Sequence, residues 1–242
     1  MIYGDSGTGK DIVAREIHKH SNFNKGPFIA INAASMEPEN IEKEFFGYQE
    51  NSLSKTGYFE AASNGTIFID EVAEMPLQTQ AKILRVLTDK KFTKLGDNKT
   101  IDLNCRIICS SIQNLENLIN EGSFRKDLFH RLNVVSITLP KLVDRLEDID
   151  DLIKYFIKTF TGENTNYENL IPIIKSKYIS YDWPGNIREL RNIIERHIIL
   201  GEKYDDENNL NDNTDFTDQN VISLPLKNAR KIFEKHYLHS QI

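Results

Sequence analysis

The stretch Gly4-Asp5-Ser6-Gly7-Thr8-Gly9-Lys10 constrains this chain more than any other. Its glycines let backbone N–H groups turn inward around phosphate oxygens, and Lys10 supplies a point charge to the outer phosphates. The amphipathic run from Asp11 through Ile12, Val13 and Ile17 follows at once, so the amino end of a helix adds its dipole at the same place. One position departs from the general pattern: Asp11 stands where Ser or Thr usually reaches a magnesium ion. A glycine-rich surface turn opening a helix is the bland alternative, and the three glycines, the lysine and the helix together weigh against it.

Beyond the loop, short apolar runs alternate with amphipathic stretches as far as Pro140. Phe28 to Ile31, Thr66 to Ile69, Arg106 to Ser110 and Val134 to Leu139 read as strands, and Leu77, Ala81, Leu84 and Leu87 recur at near-helical spacing. That order predicts an α/β domain over residues 1–140, with a largely parallel, buried sheet. Phe92 to Leu103 interrupts it, and Gly96-Asp97-Asn98 between two strand-like pieces predicts an inserted hairpin. After Pro140 the strand signal stops. Helices are expected along Ile149, Leu152, Ile153, Phe156, Ile157 and Phe160, from Leu170 to Ser180, and from about Asn186 to Leu200, making residues 141–201 a small helical domain. Residues 202–223 pile up Asp, Glu and Asn like a solvated linker, and helical spacing resumes from Leu226 to Leu238 within a segment spanning 224–242.

Thr66-Ile67-Phe68-Ile69-Asp70-Glu71 is an apolar strand ending in two carboxylates. Alone, such an ending means only a solvated strand terminus. Paired with a phosphate loop it points to nucleotide hydrolysis, with Asp70 holding Mg²⁺ and Glu71 polarising the attacking water.

Composition narrows the partners. A net charge of −6 argues against general binding to a phosphate backbone, which draws on clustered Lys and Arg. No apolar run approaches the ~20 residues that cross a bilayer, and the first residues do not read as a signal peptide, so a cytoplasmic location without membrane contact is expected. Cys105 and Cys109 lie in one strand-like segment with no second pair, which predicts two reduced, buried thiols and no zinc site.

These motifs together resemble the AAA+ ATPases that activate bacterial transcription with sigma-54, as in NtrC- and NtrX-type response regulators of two-component systems. Gly4 to Asp11 looks like that family's phosphate loop, in which an acidic residue follows the lysine. Phe28 to Ala33 looks like its second strand, whose Asn, here Asn32, restrains the catalytic Glu. Phe124-Arg125-Lys126-Asp127-Leu128-Phe129-His130-Arg131-Leu132 is similar to the stretch carrying paired arginine fingers, and Trp183-Pro184-Gly185-Asn186-Ile187-Arg188-Glu189-Leu190 resembles the lid signature, with Arg188 as the sensor 2 arginine. The resemblance implies an AAA+ three-layer fold with a helical lid and MgATP bound between lobes. Gly4, Asp5, Ser6, Gly7, Thr8, Gly9, Lys10, Asp11, Ser111 and Arg188 are then the nucleotide contacts, and Asp70, Glu71, Asn32, Arg125 and Arg131 the catalytic set. It further implies a homo-oligomeric ring of six or seven subunits, each site completed by arginines from the next. The partner is RNA polymerase holoenzyme or a sigma factor, and DNA would be met only through a Fis-type domain beyond Ile242. With only Met1-Ile2-Tyr3 ahead of the loop, the chain reads as clipped at both ends.

Two departures qualify that resemblance. The family's Gly-Ala-Phe-Thr-Gly-Ala loop follows a Phe-Gly pair, but here Phe46-Gly47 leads through Tyr48 to Gly57 directly into Tyr58-Phe59-Glu60 without it. That points to the NtrX-like branch and away from direct sigma-54 remodelling. The Thr-Asn pair of sensor 1 is replaced by Ser111-Ile112, and an apolar side chain cannot report on a γ-phosphate. A nucleotide-binding oligomerisation module with weak or no hydrolysis is therefore the alternative expectation.

Overall fold

The apolar runs read as strands do line up side by side. In the computed structural model, which describes residues 1–50, 53–162, 170–178 and 181–200, the chain opens with β1 (Ile2–Tyr3), α1 (Lys10–Lys19) and β2 (Phe28–Asn32). Then come α2 (Ile41–Phe46), β3 (Gly47–Glu50), β4 (Leu53–Thr56), α3 (Tyr58–Ala61), β5 (Thr66–Asp70) and α4 (Leu77–Asp89). The rest of the α/β part is β6 (Lys91–Thr93), β7 (Thr100–Asp102), β8 (Arg106–Ser111), α5 (Leu115–Asn120), α6 (Lys126–Leu132) and β9 (Ile137–Thr138). Three helices follow: α7 (Ile149–Thr161), α8 (Leu170–Lys177) and α9 (Asn186–Leu200).

Five strands pair in parallel in the order β2-β5-β8-β1-β9. The register sets Asn32 beside Asp70 and Ile69 beside Cys109, so the carboxylates end level with the end of β8. Ile67, Phe68 and Ile69 are buried on both faces of the sheet, which is why this segment reads as a continuous apolar run. The result is the AAA+ fold with a parallel central sheet and a small helical lid, as expected.

Two expectations shift in detail. Val134 to Leu139 narrows to the two residues of β9, because this edge strand has only β1 to pair with, leaving Val134 and Val135 exposed. On α4 the buried side consists of Thr79, Gln80, Ile83, Val86 and Leu87, while Leu77 faces solvent. Polar residues take core positions there because neighbouring loops supply partners for the Gln80 amide, offsetting its desolvation. The expected hairpin exists as β6 and β7, and its Leu95 exchanges backbone hydrogen bonds with Gly47 and Gln49 of the β3–β4 hairpin. Phe45, Phe46, Phe59 and Phe92 pack beneath both hairpins. The linker over 202–223 and the segment 224–242 lie outside the described residues. No described helix is long and apolar enough to cross a membrane.

Candidate functional site

At the carboxyl end of β1 the chain turns back through the glycine-rich loop into α1. Gly7 and Gly9 sit at φ +77° and +97°, in the left-handed region that costs glycine nothing. Thr8 is buried and ties the turn closed, its hydroxyl donating to Asp5 O at 2.8 Å. Among the described residues no protein acceptor meets the N–H groups of Gly7, Gly9 and Lys10, so the loop gathers these donors at the head of α1. That arrangement fits the phosphates of a nucleotide.

Lys10 is buried beneath the loop. Its Nζ donates to Gly4 O at 2.9 Å and Asp5 O at 3.3 Å, and lies 3.5 Å from Glu71 Oε1. Glu71 stands just past β5 with φ 54° and ψ 54°, an unusual conformation for a residue with a side chain, and it starts the short 3₁₀ turn Val72–Glu74. Its other carboxylate oxygen accepts from Ile112 N at 3.1 Å. Asp70 accepts from the Ser110 hydroxyl, and Ser110 Oγ in turn accepts from Glu71 N at 3.3 Å. Among the described residues no cluster of three or more His, Cys, Asp or Glu side chains forms a cage for a metal. Asp70 at the end of β5 suits magnesium, which takes one or two carboxylates and fills its sphere with phosphate and water.

The lid reaches the loop directly. Asn186 is buried at φ +52°; its Nδ2 donates to Ser6 O at 2.9 Å and its Oδ1 accepts from Leu142 N at 2.8 Å. Arg188 Nη1 donates to Ser6 Oγ at 2.9 Å, and Arg145 Nη2 donates to Thr8 O at 3.0 Å. A Cβ added at Gly7 would collide with Gly185 O, so lid and loop touch backbone to backbone. Glu189 accepts from Tyr181 OH and Gly185 N, and Glu195 pairs with Arg191, so neither carboxylate holds Arg188. Those bonds and the buried Trp183 hold the turn that aims Arg188 at the loop.

The remaining residues named from sequence stand in other places. Asp11 is exposed in the first turn of α1. Asn32 Oδ1 accepts from Ala34 N, and among the described residues no hydrogen bond joins it to Glu71. Ser111 is buried and its hydroxyl donates to Gln113 O; at Ile112 it is the backbone N–H that meets Glu71, while the side chain is exposed. Arg125 is exposed at the amino end of α6, where its guanidinium makes a two-pronged pair with Asp127 at 2.7 and 3.0 Å. Arg131 Nη2 donates to Leu87 O near the end of α4 in the same chain. Sequence reasoning missed Ser110 and Arg145. Each acts through a position that only the fold creates, although a serine at the end of a strand beside the Asp-Glu pair is a signal that could have found the first.

Comparison with known proteins agrees with this geometry. The sigma-54 interaction domain family matches residues 1–138, and the AAA+ ATPase lid domain matches residues 143–215. The chain is 42% identical over 206 residues to the regulatory protein AtoC of Escherichia coli, covering 83% of this chain and 45% of that protein. It is 40% identical to the nitrogen assimilation regulatory protein NtrX of Azorhizobium caulinodans, over 100% of this chain and 57% of the relative. Crystal structures of NtrX from Brucella abortus in complex with ADP and with ATP superpose with TM-scores of 0.76 and 0.75 at 43% and 42% identity, covering all of this chain and 56% of theirs. The chain thus spans about half the length of these relatives. Its sheet, its lid and the match across residues 1–138 agree on one assignment: this chain belongs to the sigma-54 interaction family of AAA+ domains.

Proposed function

We propose that this chain binds MgATP on the loop from Gly4 to Lys10 and hydrolyses it in a ring of identical subunits, as the motor part of a bacterial transcription regulator. The observation that carries the reading is the convergence on one point of Lys10, Glu71 and the lid residues Asn186 and Arg188. A magnesium ion held by the phosphates and Asp70 would neutralise charge as the terminal phosphoryl group departs. Lys10 lies between the loop carbonyls and Glu71, so a phosphate entering the loop competes for its ammonium group. Glu71, released from Lys10, can then take a proton from water, with Ile112 N–H and Ser110 fixing its direction. Ser6 sits between Arg188 and Asn186, so the lid senses the loop that grips the phosphates. Arg125 is exposed and can leave Asp127 to enter a neighbouring subunit's site, where a cation stabilises the transferred phosphoryl group. Arg131 must leave Leu87 O to join it.

The relatives support ATP as the ligand, since NtrX from Brucella abortus has been crystallised with it. RNA polymerase holoenzyme or its sigma factor is the proposed target. A second reading, a nucleotide-binding ring with little turnover, draws on the fact that both Glu71 oxygens are occupied, by Lys10 and by Ile112 N–H.

Two experiments test the proposal. Lys10→Ala should weaken ATP binding about 10- to 100-fold by equilibrium titration, the loss expected for a charge-assisted contact; unchanged affinity would place the nucleotide elsewhere. Subunits carrying Lys10→Ala lack a working site but keep their arginines, whereas Arg125→Ala subunits lack the finger but keep their site. Each should be inactive alone, and mixing them should restore turnover. A mixture as silent as its parts would contradict completion of the site in trans.

A further inference from the structure

Gln80 is a fully buried polar side chain on α4, and the site described above does not use it. Its Nε2 donates to Met75 O at 2.8 Å and to Ser123 O at 3.1 Å, and its Oε1 accepts from Arg125 N at 2.9 Å. Both amide protons and the carbonyl are therefore committed, and each is committed to backbone. Met75 closes the 3₁₀ turn that Glu71 begins, with Glu74 N bonded to Glu71 O and Met75 N to Val72 O. Ser123 and Arg125 form the entry to α6, and Arg125 is the residue at which that helix starts, its carbonyl accepting from Phe129 N. A single amide thus fastens the turn after the hydrolytic carboxylate to the backbone of the arginine. The same turn is joined to the end of β8 by Gln113 Nε2, which donates to Glu74 Oε1 at 2.7 Å, and by Ile112 N–H on Glu71.

We propose that Gln80 is a positioning residue that links the Glu71 turn of one subunit's own site to the Arg125 finger it offers the next. The inference rests on the reading that Arg125 works in trans. Glu71 sits between Lys10 and Ile112 N–H, so a change at the phosphate loop alters the pull on its turn. A side chain hydrogen-bonded to water would absorb that displacement. Gln80, dry and fully paired, passes it to Arg125 N, because breaking any of its bonds would strand a buried polar group. Its geometry also fixes where α6 begins, and misplacing a transition-state contact by about 1 Å costs on the order of 100-fold in rate.

The test uses Gln80→Met, which keeps the volume and removes all three bonds, in the full 242-residue chain. The variant should bind ATP within about twofold of the parent, since nothing in the phosphate loop touches residue 80, while turnover falls on the order of 100-fold. Mixing it with Lys10→Ala subunits, whose fingers are intact, should restore turnover, because the Gln80→Met subunits keep a competent site. General damage to the subunit's fold, which would also disable its own site, would give no such rescue. Full turnover by Gln80→Met alone, or an impaired mixture, overturns the proposal. The Arg125→Ala mixture serves as the control: if it recovers and the Gln80→Met mixture does not, only the link fails, and if neither recovers, the trans reading itself has failed. Should Gln80→Met not fold, Gln80→Asn retains an amide one methylene too short to span both segments, and mixing it with Lys10→Ala subunits supports or overturns the link in the same way.

Discussion

Among single residues, the site is defined by who occupies whom. Glu71 is held by Lys10, by Ile112 N–H and, through its backbone, by Ser110. Ser110→Ala removes the hydroxyl that joins Asp70 to Glu71 N, and losing a partner to a charged group costs about 1–3 kcal/mol. Urea unfolding should show a loss within that range, and turnover should fall while ATP affinity holds. The two thiols offer a cleaner check. Burial pushes Cys105 up to about 11 and Cys109 up to about 12 from an ordinary 9.0. Folded protein should therefore resist iodoacetamide at pH 8 at both cysteines by mass spectrometry, and react at both in denaturant. The sign of the stability effect follows: above pH 9 the unfolded chain releases protons that the folded chain keeps, so these thiols lower stability as pH rises from there.

Among the elements, much of the architecture is legible in the residues and some is not. β5 announces itself because a strand buried on both faces is apolar throughout, and α7 does so because its buried Ile149, Ile153, Phe156 and Ile157 keep helical period. β9 and the face of α4 escape a reading by pattern for physical reasons. An edge strand is limited by its one neighbour, and a buried glutamine cannot be told from a surface one until its partners are placed. The phosphate loop, the Asp-Glu pair and the lid signature are legible because their chemistry sits in contiguous residues. Asn186, Ser110 and Gln80 act across the fold, 180, 39 and 45 residues from their partners, which spacing cannot show. Asn186→Ala should unfold more easily than Asn186→Gly by about 1–2 kcal/mol in urea, since both lose the bonds to Ser6 and Leu142 but only alanine is strained at φ +52°. Equal stabilities would mean that the backbone there is not left-handed. In α4, Ile83→Ala should cost about 2–5 kcal/mol, as befits a fully buried side chain.

In the molecule as a whole, the helical lid meets the phosphate loop through Asn186, Arg188 and Arg145, while Arg125 stands exposed at the amino end of α6. On the proposed function, the phosphates are then gripped by loop and lid together while a cation is offered outward. Such an arrangement predicts turnover that rises more steeply than linearly with protein concentration, because each site waits for a neighbour. Everything in this scheme depends on Glu71 performing hydrolysis on nucleotide held by the loop. Steady-state ATP turnover of the parent and of Glu71→Gln, with ATP affinity measured alongside, bears on that dependence without intermediaries. Glu71→Gln should bind ATP as well as the parent and turn it over about 10²- to 10⁴-fold more slowly, the range for loss of a general base. Equal turnover by the two proteins would mean that Glu71 is not the base.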